Sequence, residues 1–478
     1  METQYGGHNY NSMKQKLLLL VILLSIIAAC NKSGDTQDQM VKQATPSRTA
    51  ATPDWAKNNN IYEVNIRQYT PEGMFNAFAK HLPRLKAMGV DILWLMPIHP
   101  ISDTKKKGSL GSYYAVSDFR AVNPKFGTLD DFKALLKQAH DLDMKLILDW
   151  VPNHTGWDHV WLKQYPDYYT KDSTGKVVDP IDSRTGETFG WTDVADLNYN
   201  NPDLRKTMTE DMLYWLTDVG IDGYRCDVAH EVPDDFWQEA IPKLRQAKPD
   251  IFMLAEAEYA PHRNEDLFAM SYAWAFLELM NKLAKGEKRA ADINTWYKAD
   301  SIKFQKGYQM SFITNHDKNS WEGSEYERMG DAVDAMAVFA FTFQGMPLIY
   351  SGQESALNKR LKFFEKDTIA WGNYPKQDFY KSLLDLKHRN QALWNGVDGG
   401  KPNRIQAGSS DVYAFYREKN GDKVVVLLNT SATPQTATLN DPKVLGDYIN
   451  IFDKNTTTVN KGMTLQLQPW GYVVLSNK

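Results

Sequence analysis

From Ile61 onward, short apolar runs alternate with amphipathic helical patterns. The runs Ile61–Asn65, Asp91–Pro97, Lys145–Val151, Gly223–Val228, Phe252–Glu256, Met310–Thr314 and Pro347–Ser351 read as strands, with a weaker one at Ser271–Phe276. They are rich in Ile, Leu, Val and Met and do not alternate in polarity, as strands buried on both faces should not. Between them, Phe75, Phe78, Leu82 and Leu85 share one helical face before Gly89. Thr128 is an N-cap with Asp131 three residues on, ahead of a stripe of Phe132, Leu135, Leu136 and Ala139. Asn201-Pro202 opens another helix, continued by Leu204, Met208, Met212 and Trp215 and closed by Gly220. Eight strand slots with intervening helices predict an α/β fold, a (β/α)8 TIM barrel over residues 55–394. Residues 155–193, after the third strand, are too long for an ordinary βα loop and read as a small inserted subdomain. Past Asn395 the pattern changes to short strands (Val412–Tyr416, Val424–Leu428, Tyr448–Phe452, Met463–Leu467 and Tyr472–Leu475), predicting a C-terminal antiparallel β-domain over 395–478.

The first apolar run, Leu17 to Ile27, belongs to none of this. Lys14 and Lys16 precede it and Ala28-Ala29-Cys30 follow, the layout of a secretory signal and too short for a membrane span. The Cys after Ile-Ala-Ala resembles a bacterial lipobox, so residues 1–30 are expected to be a lipoprotein signal with Cys30 lipidated, anchoring the chain to a membrane of the bacterial envelope. Residues 31–54, rich in Ser, Thr, Gln, Asp and Lys, read as a flexible tether. Composition adds exclusions. The net charge of −4 gives no case for nucleic-acid binding, and two cysteines cannot make a disulfide scaffold.

The candidate chemistry collects at strand ends, where such barrels carry function. The third strand ends Asp149-Trp-Val-Pro-Asn153-His154, the fourth Gly223-Tyr-Arg225-Cys-Asp227, the fifth Leu254-Ala-Glu256 and the seventh Thr314-Asn-His316-Asp317. A lone acid at a strand end is often only a helix cap. Three acids from three strand ends, with an Arg and two His, are hard to explain as surface solvation. Glu258 competes with Glu256 as the acid of the fifth strand. Cys226, facing away from its neighbours, reads as a small buried apolar residue, and Lys105-Lys106-Lys107 as a solvated loop.

These four segments, in this order, resemble the sequence signatures of the α-amylase family of glycoside hydrolases. Ala195-Asp196-Leu197-Asn198 and Gly345-Met-Pro-Leu-Ile-Tyr-Ser-Gly-Gln-Glu354 extend the match. The resemblance implies that Asp227 is the nucleophile and Glu256 the acid/base, its pKa raised by burial and nearby carboxylates. Asp317 would favour the distorted, oxocarbenium-like sugar. Arg225 would hold Asp227 ionised, oriented by Asp149. His154 and His316 would bond sugar hydroxyls, and Tyr114 would stack beneath the same ring. A nucleophile and an acid/base on opposite faces imply the retaining route, with carboxyls about 5–5.5 Å apart. Many relatives bind Ca²⁺ between barrel and insertion. Asn153 and Asp196 match side-chain ligands there, but Glu231 stands where the family's His of a Lys-His pair would be.

Val228-Ala229 after Asp227 resembles the branch of neopullulanases and cyclomaltodextrinases, which act on short or cyclic maltodextrins. The resemblance therefore implies a hydrolase of α-glucans, with the bond preference and the oligomeric state open. A glycosyltransferase of the same family is the nearest alternative. A catalytically dead glycan-binding or transporter-accessory surface protein is another, and the presence of all three acids argues against it.

Overall fold

The computed structural model describes residues 51–478; the signal segment, Cys30 and nearly all of the expected tether lie outside the described residues. Eight parallel strands close into a barrel: β1 (Ile61–Val64), β2 (Ile92–Leu95), β3 (Lys145–Trp150), β4 (Gly223–Cys226), β5 (Phe252–Ala255), β6 (Met270–Tyr272), β7 (Tyr308–Ser311) and β8 (Met346–Tyr350), with β1 paired to both β2 and β8. All are buried along nearly their whole length, which accounts for their unbroken apolar sequence. Because the strands are parallel, their C-terminal ends share one rim, and residues just beyond them converge.

The helices stop and start where the sequence provides the chemistry. Thr128 Oγ1 accepts from the Asp131 amide at 3.1 Å while the Asp131 carboxylate accepts from the Thr128 amide at 2.8 Å, opening the helix Leu129–Asp141. Asn201 Oδ1 caps the amides of Asp203 and Leu204, and Gly220 takes the left-handed turn (φ +99°) that ends the following segment.

Three expectations are corrected. The sixth strand is Met270–Tyr272, and Trp274–Ala284 is a helix. Phe276, Leu277, Met280 and Leu283 recur at helical spacing and are buried, so the 3.6-residue period overrides the apolar run. The seventh strand lies at Tyr308–Ser311, earlier than Met310–Thr314, because Phe312 to Thr314 have already left the ladder to reach the rim. The expected continuous helix over Phe75 to Leu85 is two helices, Phe75–Ala79 and Leu82–Met88, with Pro83 in the first turn of the second.

After β3, the strands His154–Gly156 and Val194–Asp196 pair antiparallel and bracket the intervening chain, which includes the helix Val160–Gln164. The C-terminal part comprises β9 (Asn403–Ile405), β10 (Val412–Lys419), β11 (Asp422–Asn429), β12 (Gln435–Leu439), β13 (Gly446–Asn450), β14 (Thr456–Val459), β15 (Met463–Leu467) and β16 (Tyr472–Ser476). Six form a sheet in the order β9-β10-β11-β16-β13-β14, and β12 pairs with β15. The two-residue period of β11 divides its side chains: Val424, Val426 and Leu428 join the barrel core, while Val425 and Leu427 pack with Leu439 and Leu467. Phe339 and Phe343 meet Tyr413 and Phe415 across this junction. Among the described residues no helix is long and apolar enough to cross a membrane.

Gly223, which opens β4, has φ +155°, and a Cβ there would lie 1.9 Å from the Phe252 carbonyl oxygen of β5. Gly223→Ala is therefore expected to abolish soluble folded protein or to cost more than about 3 kcal/mol. Gly286→Ala, at φ +72° with open space around it, should cost only about 1 kcal/mol. Denaturant melts of the two variants check the contrast.

Candidate active site

In the β3–β4 ladder Asp149 stands beside Arg225, and both are fully buried. Arg225 Nη1 donates to Asp149 Oδ1 at 2.7 Å and to Asp227 Oδ1 at 2.8 Å. Its Nη2 lies 2.9 Å from Glu256 Oε2. Its Nε donates to the Tyr272 hydroxyl of β6 at 3.1 Å. One guanidinium thus ties together the ends of four strands. Asp149 is further held by Trp94 Nε1 and the Tyr114 hydroxyl, each donating to Oδ2 at 3.1 Å.

A second cluster faces the first. His316 Nδ1 lies 2.5 Å from Glu63 Oε1, and its Nε2 lies 2.8 Å from the Tyr114 hydroxyl and 3.3 Å from Asp317 Oδ2. The Tyr114 ring stacks on His316 with centroids 5.6 Å apart. Asp317 and Glu63 together raise the His316 imidazole to about 9 against the opposing effect of burial, so it is an imidazolium at neutral pH. His154, by contrast, is lowered to about 4 by burial, which outweighs Asp193 and Glu256, and stays neutral.

Asp227, Glu256, Asp317, Tyr114, His154 and His316 line one cleft of about 1360 Å³. Arg225 lies directly beneath it. Asn153 and Asp196 do not line it; they sit at the same end of the short strand pair, Asn153 just before His154 and Asp196 opposite His154, where the Leu197 amide donates to the Asn153 carbonyl at 3.2 Å. Glu256, and not Glu258, reaches Arg225: the Glu258 carboxylate instead accepts from the Ala275 amide at the start of the helix after β6. Cys226 is buried. Lys107 is not a solvated loop residue, because it pairs with Asp193 of the insertion at 2.7 Å and lines the cleft.

The protonation of the two central acids departs from expectation. Burial raises Asp227 well above the usual carboxylate range, and Arg225 only partly offsets it. Burial also acts on Glu256, but Arg225, the Val228 amide donating at 2.8 Å, His316 and a hydrogen bond from Asp227 bring it below its ordinary value. Both carboxyls are held by the one guanidinium, Asp227 Oδ1 at 2.8 Å from Nη1 and Glu256 Oε2 at 2.9 Å from Nη2, and each acts on the other's ionisation. Val228 has φ +44°, unusual for a β-branched residue, and this turn is what aims its amide at Glu256.

Glu63 was not foreseen. Its only sequence signal is an acid inside the apolar run Ile61-Tyr62-Glu63-Val64, where a carboxyl must find a buried partner. Tyr272 and Asp193 carried no motif and were missed for that reason.

Residues 35–400 match the family model described as alpha amylase, catalytic domain, and residues 404–474 that of the maltogenic amylase C-terminal domain. The chain is similar to alpha-amylase MalA of Haloarcula japonica, 28% identical across 81% of this chain and 57% of that protein. It thus spans little more than half the length of that relative. It is also similar to a cyclomaltodextrinase of Thermoanaerobacter pseudethanolicus, 26% identical across 80% of this chain and 67% of that one. The crystal structure of an alpha-amylase from Lactobacillus plantarum superposes with a TM-score of 0.78 at 28% identity, covering 89% of this chain and all of that one.

The His316–Glu63 pair makes stability pH-dependent. His316 is raised in the folded state from an unfolded value near 6.5 to about 9, so its contribution is fully present below about pH 6.5 and is lost as pH rises through about 9. Denaturant melts should show a loss on the order of a few kcal/mol across that window. Glu63→Gln should be less stable at pH 6 and markedly flatter from pH 6.5 to 9.5.

Proposed function

The chain belongs to the α-amylase family of glycoside hydrolases, and on that premise we propose that it is a retaining hydrolase of α-glucosidic bonds in starch or maltodextrins, with Asp227 as nucleophile and Glu256 as acid/base. The observation that carries this reading is the pair of acids from two strand ends held by one buried guanidinium, Asp227 at 2.8 Å and Glu256 at 2.9 Å from Arg225, at the floor of the cleft. A sugar seated over Tyr114 presents its anomeric carbon to two carboxyls that stand about 5–5.5 Å apart in a retaining pair. The reaction needs the proton on Glu256, beside the leaving oxygen, and Asp227, bonded to Arg225, as the anion. An Asp227 oxygen then bonds to the anomeric carbon as the glycosidic C–O bond breaks, and the Glu256 proton passes to the leaving oxygen. In the second half a water gives its proton to Glu256 and its oxygen to the anomeric carbon, releasing Asp227. Asp317, His154 and His316 hold hydroxyls of the reacting ring. His316, as an imidazolium, is a donor at both nitrogens.

Val228-Ala229 and the similarity to a cyclomaltodextrinase favour short or cyclic maltodextrins as a second reading of the substrate. Transfer to a sugar hydroxyl instead of water uses the same intermediate. Ca²⁺ is proposed as a structural ion behind the cleft wall, held by Asn153 and Asp196. The Asp196 carboxyl is buried, and burial with Asp179 and Glu231 raises it to about 7; a bound cation would hold it ionised as a hard-oxygen ligand. Among the described residues no group of three His, Cys, Asp or Glu gathers there, so backbone carbonyls would complete the shell. When bound, the ion would brace the insertion against the barrel. Cys30 is proposed as a lipidated anchor at the bacterial envelope.

Assay on soluble starch, maltoheptaose, cyclodextrin and pullulan, with product analysis, tests the reading and separates hydrolysis from transfer. Asp227→Asn and Glu256→Gln should each lower kcat by about three orders of magnitude or more without loss of fold. Activity retained in either would overturn the assignment. EDTA should lower the melting temperature and Ca²⁺ restore it; an unchanged melt would remove the ion. Cys30→Ala should move the protein from the membrane fraction to the soluble one.

A further inference from the structure

Three rings from three different loops form a continuous run along one wall of the cleft. Tyr114 follows β2, Phe363 follows β8 and Trp321 follows β7. Tyr114 and Phe363 lie nearly parallel, 11° apart with centroids at 6.2 Å, and Phe363 meets Trp321 at 5.1 Å. Phe364 supports Trp321 from another side at 5.7 Å. Trp321 is 54% exposed, the most open aromatic side chain among the described residues, and it borders the cleft. An exposed Trp that extends a buried ring stack into a cleft is a site awaiting an apolar face.

The shelf is preorganised by hydrogen bonds from the two residues before Trp321. Asn319 Nδ2 donates to the Lys359 carbonyl at 2.9 Å, and Asn319 Oδ1 accepts from the Leu361 amide at 2.8 Å. Ser320 Oγ donates to the Leu361 carbonyl at 2.9 Å. These bonds tie the β7 loop to the β8 loop just ahead of the Trp321–Phe363 contact, so little ordering is left for binding. The short π-helical turn Lys318–Glu322, directly after Asp317, is what swings Trp321 outward.

Barrel order gives the shelf a direction. β7, β8, β1 and β2 are contiguous, and β4 and β5, which carry Asp227 and Glu256, lie across from them. The acid/base must stand beside the leaving group, so the opposite wall faces the part of the chain that stays with the enzyme. We propose that Trp321, backed by Phe363, is a specificity-determining platform for a glucosyl ring on the non-reducing side of the reacting sugar, making the enzyme selective for glucans that carry at least one further ring there. The C–H face of a glucopyranose is the apolar surface that fits. This proposal rests on the hydrolase reading above.

The test compares Trp321→Ala and Trp321→Phe with the unchanged protein, as the full chain, on maltooligosaccharides from maltose to maltoheptaose. In Trp321→Ala, kcat/KM should fall about tenfold on the longer substrates through KM, with kcat and the rate on maltose nearly unchanged. Trp321→Phe should recover most of it. An equal loss at every length, or none, would overturn the proposal. Binding of maltoheptaose to Asp227→Asn with and without Trp321→Ala reads the same shelf independently of turnover. Affinity that does not depend on Trp321 counts against the shelf, whereas an unchanged protein that hydrolyses no glucan counts against the hydrolase reading.

Discussion

The structure depends on one buried cation. Arg225 has no exposed surface, and Asp149, Asp227 and Glu256 all lie within 3 Å of it. A guanidinium moved out of water is costly unless its partners are close and well aligned. Here the partners come from β3, β4 and β5, so the charge is satisfied only when those strands are in register. Ionisation is constrained in the same way. Five acids crowd the rim (Glu63, Asp149, Asp227, Glu256 and Asp317), opposed chiefly by Arg225 and the His316 imidazolium, with Lys318 acting on Asp317. Asp149 is raised to about 6, and Asp227 and Asp317 are raised too. A site that must keep one acid protonated near neutral pH obtains this from crowding and burial.

Everything else positions that rim. Gly223 lets β4 approach β5 so closely that no side chain fits between them. The φ +44° turn at Val228 directs an amide to Glu256. Glu63, from the other side of the barrel, holds His316 upright under Tyr114. The C-terminal sheet contributes no cleft residue and covers the barrel from the helices around Phe339 and Phe343.

Much of this was legible in the chain, and the pattern of omissions is physical. Asp149, Arg225, Asp227, Glu256, His316 and Asp317 sit at strand ends within short local motifs, so a linear reading places them on one rim. Thr128 and Asn201 announce their caps by side-chain chemistry alone. Long-range pairs were hidden. Glu63 meets His316 from 253 positions away, and the ring run joins loops after β2, β7 and β8. Lys107 looked solvated because its partner Asp193 lies across the insertion. The sixth strand was misplaced because a three-residue buried strand and the first turn of an apolar helix have the same composition. The lowering of Glu256 could not be foreseen either, since it depends in part on which carboxylate receives the Val228 amide.

The central claim is that Arg225 poises Asp227 as the nucleophile and Glu256 as its proton partner. The most direct measurement is mass spectrometry of the peptides after reaction with a slowly turning over 5-fluoro-α-glucosyl donor. The account predicts one added glycosyl mass on the peptide carrying Asp227. A glycosyl group on Glu256, or turnover with no covalent adduct and inverted product, would contradict it.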